Sequence, residues 1–247
     1  MRASIGAFGV LAVLGAPIAA EETPDVEAFV EGNVLSIFYH ELGHALIHIE
    51  EVPIFAQEED AADVFAVILA EAAWAQETAL DLAYDFALLF EDDAIVRAEN
   101  GEGPSWWSTH GPDEQRFYNT VCLFYGADPD KRIDYAVDMG LPEERADFCP
   151  EEFDQARAAW GGVLDVAMER GPGDTLRLQP DPPGRIGAVL TEEVTALNEM
   201  LQLAAPLDIR VENCGEANAF YDPGERTVIF CTEYETSLIE SGRRIYE

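Results

Sequence analysis

The sequence predicts an α+β fold that is mainly helical, with a small β-hairpin or sheet at its C-terminal end. Two observations carry this. Apolar and alanine-rich residues recur at helical spacing from Val26 to near Leu203, interrupted by short Gly, Pro and Asp signals. Only the last quarter changes texture: "LDIRVENC" and "NAFYDPGERTVIFC" are β-rich, and the Asp-Pro-Gly within the second is a turn between two runs. With 48% hydrophobic residues and no low-complexity linker or internal repeat, residues 21–247 are expected to form one domain around one core.

Residues 1–20, "MRASIGAFGVLAVLGAPIAA", have one Arg, a short apolar run and a small-residue end, the pattern of a secretory signal peptide. Thr23-Pro24-Asp25 then offers an N-cap, a proline at the first helical position and an acid in the first turn. The following helix carries "YHELGHALIHIEE"; Gly32 can interrupt it, and it ends before Pro53. A second helical region starts at "EEDAADVFAVILAEAAWAQ" and continues through "TALDLAYDFALLF". After the loop "ENGEGPSWWSTHGP", "DEQRFYNTVCLFYG" is helical, and the segment to "GGVLDVA" is helical with breaks. "RGPGDTLRLQPDPPG" is loop, and "TEEVTALNEMLQL" is the last helix before the β-rich end.

The 14 basic residues face 49 acidic ones, for a formal charge of −35. Such a surface repels phosphate backbones and anionic membranes, which argues against nucleic-acid binding. The charge is read as a solvated, self-repelling surface rather than as a lure for cationic substrates. No later segment is apolar for long enough to span a bilayer, so the mature chain is expected in an exported compartment, periplasmic or extracellular. Cys122, Cys149, Cys214 and Cys231 allow three pairings there; the local pairs Cys122–Cys149 and Cys214–Cys231 are favoured, the second bracketing the hairpin.

Three of the four histidines, His40, His44 and His48, lie four residues apart. His40 and His44 stand about 6 Å apart along one helical face and can share a zinc ion, while Glu41 can take a proton from a water held there. His48, about 12 Å from His40 along the axis, is too far to join them and reads as a packing or supporting residue. A catalytic zinc needs a third ligand, and "EEDAAD" places Glu59 and Asp63 on one face: one can bind the ion, the other can accept an imidazole N–H.

"FYHELGHALI", "EEDAADVFAVILA", "DEQRFYNTVCLFYGADP" and "CGEANAFYDPGERTVIFC" together resemble a bacterial metallopeptidase family known as DUF4344. Glu-x-x-Ala-Asp after His-Glu-x-x-His also resembles the gluzincin pattern, which implies Glu59 as third zinc ligand and Asp63 as support for a histidine. The helix phase agrees, because Glu58 and Asp60 point about 100° to either side of Glu59, so that Glu58 is expected to matter little. The resemblance implies a zincin-like fold. Zincins place their small sheet before the zinc helix, with its edge strand along the cleft; this chain has no room for one there, so a permuted order is expected.

His110 and Tyr118 are the nameable donors for a developing oxyanion, although His110 can equally cap the next helix and Tyr118 can simply pack. Arg116, among Asp113 and Glu114, is expected in a salt-bridge network rather than on substrate; Trp106 and Trp107 can line a cleft, but covering a core is the favoured reading. Two functions follow: an exported zinc peptidase acting on a peptide or protein substrate with one catalytic Zn²⁺, or a catalytically silent, zinc-stabilised binding or inhibitory protein. Oligomeric state and substrate preference have no signature in the sequence.

Overall fold

The computed structural model describes residues 22–55 and 57–247; the leader expected at residues 1–20 lies outside them. Helix α1 (Pro24–Ile49) is the buried axis of the molecule, with Val26, Phe29, Val30, Val34, Phe38, Tyr39, Leu42 and Leu46 fully buried. It starts where its sequence says it should: Thr23 Oγ1 accepts from the Val26 N–H at 3.4 Å, ahead of Pro24. Around it pack α2 (Glu58–Ala73), α3 (Gln76–Glu99), α8 (Gly184–Met200) and α9 (Glu233–Tyr246). Helices α4 (Asp113–Ala127), α5 (Ile133–Asp138), α6 (Glu143–Ala146) and α7 (Cys149–Glu169) build outward from α2 and α3.

The helical region read as continuous after residue 58 is two helices. Trp74 leaves helical space at φ −113°, ψ 150°, and its indole N–H donates to the Tyr39 hydroxyl at 2.8 Å. Tyr39 in turn donates to Glu193 on α8 at 2.7 Å, so one buried relay ties the break to α1 and α8.

The sheet comes late in the chain, after the histidine helix, with α8 between its first two strands and α9 after its last. Its strands β1 (Leu176–Leu178), β2 (Leu207–Glu212), β3 (Ala219–Asp222) and β4 (Thr227–Cys231) are arranged β1-β2-β4-β3. Three are mutually parallel, and β3 is an antiparallel edge strand. Strand β1 lies in a segment that reads as loop, because three residues are too few to display an alternation. Asn198 pins it, accepting from the Leu176 N–H at 3.1 Å and donating to its carbonyl at 2.8 Å. Helix α9 has no counterpart in the sequence reading; it reaches α1 through Gly242, where a Cβ would lie 3.1 Å from Phe29. Cys122–Cys149 joins α4 to the start of α7, and Cys214–Cys231 joins the end of β4 to the loop after β2.

Gly32 does not interrupt α1. Its missing side chain makes room for the carboxyl of Asp85 from α3, which a Cβ would overlap. Burial, and then Asp81, push the Asp85 carboxyl up to about 8. A folded-state value above the ordinary 3.8 means that stability is fully present below about pH 4 and declines as pH rises towards 8. Asp85→Asn is therefore expected to stabilise the fold by about 2–4 kcal/mol at pH 8 and by much less at pH 5. Denaturant titrations at the two pH values check this; equal gains at both would contradict it.

Candidate metal centre

The site is made where α1 crosses α2. Gly43 allows the approach: a Cβ there would stand 3.0 Å from Ala62 Cα and 3.2 Å from the Phe65 ring. The crossing lays the first two turns of α2, with Glu58, Glu59 and Asp63, against the histidine face of α1. His40 Nε2 and His44 Nε2 are 3.1 Å apart, and Glu59 Oε2 is 3.2 Å from the first and 3.1 Å from the second. Ligand atoms on a tetrahedral ion with bonds of 2.0–2.1 Å would be separated by about 3.3 Å.

Carboxylates hold the far sides of both imidazoles. Asp63 Oδ1 is 2.8 Å from His40 Nδ1, and Glu58 Oε1 is 2.7 Å from His44 Nδ1. With each Nδ1 proton donated outward, metal binding would need only the loss of the Nε2 protons to turn two Nε2 lone pairs and a carboxylate oxygen onto one point. Three acceptors at that spacing repel unless a cation lies among them. The electrostatics show the same demand for positive charge: although burial opposes it, Asp63 and Glu59 hold the His40 imidazole up to about 9, so a proton fills the place that a metal ion would take. Bonds from His110, His40 and His44 hold Glu59 far below the usual carboxylate range.

Arg116 is not part of a network with Asp113 and Glu114; those acids pair with Arg97. Instead Arg116 grips Asp63 with Nε and Nη2, both at 2.7 Å, while its guanidinium covers the Phe90 ring at 4.1 Å. Burial works to raise the Asp63 carboxyl, but Arg116 and then His40 hold it below its ordinary range. Asp63 is thus a fixed anion behind His40.

Glu58 departs from the expectation. Its phase does turn it aside from Glu59, but the side to which it turns is occupied by His44 Nδ1. Its side chain is 48% exposed, so solvent weakens the bond. Glu58→Ala is expected to lower metal affinity by about 3–10-fold, at the weak end of such supporting contacts. Titration against a chelating dye measures it, and an unchanged affinity would return Glu58 to the bystander role.

Glu41 is buried at 7% exposure. Burial raises its carboxyl, opposed by His40 and His44, and the Tyr221 backbone N–H bonds to it. The sheet register explains that last contact. Cys231 N–H bonds the Asn218 carbonyl at 2.9 Å, so Ala219 and Tyr221 are the β3 residues whose backbone groups face away from β4. The Tyr221 N–H turns onto Glu41, while the Ala219 carbonyl faces the open edge. His48 meets the same strand, its Nδ1 2.7 Å from the Tyr221 hydroxyl.

His110 does not cap α4, whose N-cap is Pro112. It reaches the centre: its Nε2 is 2.9 Å from Glu59 Oε2 and its ring stacks on His40 at 5.9 Å. The ligand atoms of His40, Glu59 and His110 lie within 4.8 Å of one another. Tyr118 stands against Phe117, outside the cavity lining. Trp106 and Trp107 are 77% and 87% exposed and cover no core; Trp107 lies at the cavity wall. That cavity, about 1150 Å³, runs over the histidines and beneath β3, and it takes in Tyr234 of α9. Nothing in the sequence pointed to Tyr234, which arrives from the opposite end of the chain.

Among the described residues no helix is long and apolar enough to cross a membrane. Searches of curated proteins and of solved structures find no match to the chain. A family match does cover most of it, in two blocks, residues 14–164 and 187–244, which take in the histidine helix, the acidic helix start, His110 and the edge strand. The chain belongs to DUF4344, a family described as "Putative metallopeptidase".

Proposed function

We propose that the protein is an exported zinc peptidase. The observation that carries this is the convergence of His40 Nε2, His44 Nε2 and Glu59 Oε2 at 3.1–3.2 Å, with a buried Glu41 alongside and an open strand edge above. Two imidazoles and a carboxylate suit zinc, and their spacing fits it. Zinc held by these three side chains would polarise a peptide carbonyl and acidify water.

The chain's own residues do the rest. Glu41 takes a proton from the attacking water and later passes it to the leaving amine; its burial raises its basicity for both transfers. Asp63, clamped by Arg116, and Glu58 keep the imidazoles in the tautomer and orientation that direct Nε2 inward. The open edge of β3, with the Ala219 carbonyl, receives an extended peptide by antiparallel pairing. His110, released from Glu59, donates to the oxyanion that develops on the carbonyl. Two disulfides suit an oxidising compartment, and with the N-terminal leader pattern they support a periplasmic or extracellular location.

His110 also favours a second reading. If its Nε2 is a fourth permanent ligand, the centre is closed, as structural zinc sites are, and the protein is a zinc-stabilised binding protein without turnover. Against this stands Glu41, which a closed structural site would not use. Incubating an unfolded protein with the zinc-loaded chain and with the chelator-stripped chain separates the two. New internal N-termini in the first alone are the expected result. If neither sample yields fragments while zinc still raises the melting temperature, the second reading holds.

A further inference from the structure

The cavity is lined by four carboxylates, and three have partners at the centre: Glu59 among the histidines, Glu58 on His44, Glu41 beneath the Tyr221 amide. The fourth, Asp93 of α3, has none. Among the described residues it makes no hydrogen bond or ion pair. Three acids around it each hold an arginine: Asp92 holds Arg244, Asp113 holds Arg97, and Asp63 holds Arg116. In a chain with 14 basic residues against 49 acidic ones, an acid that opens on the cleft without a partner is available to something that enters the cleft.

The position suits a substrate group. Asp93 follows Leu89 and Phe90 by four and three residues, so the three share one face of α3, and all three line the cavity with Ile37 of α1. Phe90 carries Arg116, which holds Asp63, which holds His40; Asp93 is thus one helical turn, about 5 Å, beyond the layer that braces the centre. On the other side Tyr234 lies close enough to both Asp93 and Glu41 to feel each charge. The result is an apolar wall ending in a carboxylate, which matches a methylene stem with a cationic tip. Arg116 and Arg244 lie near enough for their charge to act on Asp93, but neither bonds to it: Arg116 is held by Asp63 through Nε and Nη2, and Arg244 by Asp92.

We propose that Asp93 is the specificity-determining residue of the cleft and receives a cationic nitrogen of the peptide substrate, supplied by a lysine or arginine side chain or by a free amino terminus. The inference rests on the peptidase reading of the cleft. Desolvation, then Asp113 and Asp92, push the carboxyl of Asp93, which is exposed to the cleft, up to about 6 against the opposing charge of Arg116 and Arg244, so it is ionised at neutral pH and open to a cation. The bulk negative charge of the protein also attracts cationic peptides, but that attraction does not distinguish positions within a peptide.

The test is binding, so that it does not depend on turnover. Zinc-loaded Glu41→Gln protein is titrated with labelled ten-residue peptides of one composition, a single lysine moved along an alanine-serine frame, each with a free or an acetylated amino terminus. One lysine register, or the free terminus, is expected to bind about 10-fold more tightly than the rest. Adding Asp93→Asn should reduce that preference to about 2-fold or less, with the weaker peptides unchanged, which also reports that the cleft is folded. Adding Asp93→Lys instead should favour a glutamate at the same register. If no register is preferred, or if the preference survives Asp93→Asn, the assignment of Asp93 is wrong. Failure of the parent chain to cleave protein, with the register preference intact, would instead remove the peptidase reading and leave a cation-selective peptide-binding cleft.

Discussion

Glu41→Gln is expected to retain zinc and to lose hydrolysis by about 10²–10⁴-fold, the range for removal of a general base. Glutamine keeps the size of the side chain and its bond from the Tyr221 amide, so the buried position at 7% exposure is not vacated. It removes only the ability to take and return a proton. The three inward-facing donor atoms belong to His40, His44 and Glu59, so metal content should stay at the parental level. Single-turnover cleavage of an internally quenched peptide, with zinc measured by atomic absorption on the same sample, reads both quantities. A variant that loses zinc would make Glu41 a ligand, and a variant that cleaves at the parental rate would remove it from the chemistry.

The second large effect is expected at Glu59. Alanine there leaves two imidazoles alone, and a bidentate site gives up most of its affinity for a divalent ion; a loss on the order of 10³-fold or more separates it from Asp63→Asn, expected at about 10–100-fold. The distinction is geometric. Glu59 Oε2 lies 3.1–3.2 Å from both Nε2 atoms, whereas Asp63 reaches only the outer nitrogen of His40. Asp63 has a structural duty as well, since it neutralises the buried Arg116. Its loss should therefore lower the melting temperature even without metal, whereas Glu59→Ala should leave the apo-protein folded. Dye-competition titrations and melting curves on both apo-variants check this. Equal affinity losses would erase the difference in role, and a destabilised Glu59→Ala apo-protein would mean that the carboxylate is part of the fold.

Much of this was legible in local spacing. Residues four apart share a helical face whatever surrounds the helix, so His40 and His44, and likewise Glu59 and Asp63, could be placed as pairs before any packing was known. The Thr23-Pro24 helix start, the late β-rich texture and the hairpin-bracketing cysteines are local signals of the same kind. Trp74 shows where this stops: its surroundings in sequence are helical, and the break there comes with a bond to Tyr39, 35 residues away. Glu58 shows the same limit in reverse, since its helix phase was read correctly and its neighbour was not.

What the sequence by itself determined is most of the helices and the phase of each: which histidines share a face, which acids follow them, and that most of the strands come late in the chain. What only the tertiary structure decided is which phases meet. His110 comes to the centre from the loop after α3, Arg116 from α4, Tyr234 from the last helix, and the Tyr221 amide from an edge strand about 180 residues after Glu41. Asp93 was one acid among 49 until the arginines around it were seen to be held by other partners. The physical reason is that periodicity is a property of neighbouring residues along a helix or strand, whereas a partner is set by how helices cross. That crossing depends on the packing of the whole core, here on the Gly43 contact with Ala62 and on α9 closing against α1 through Gly242.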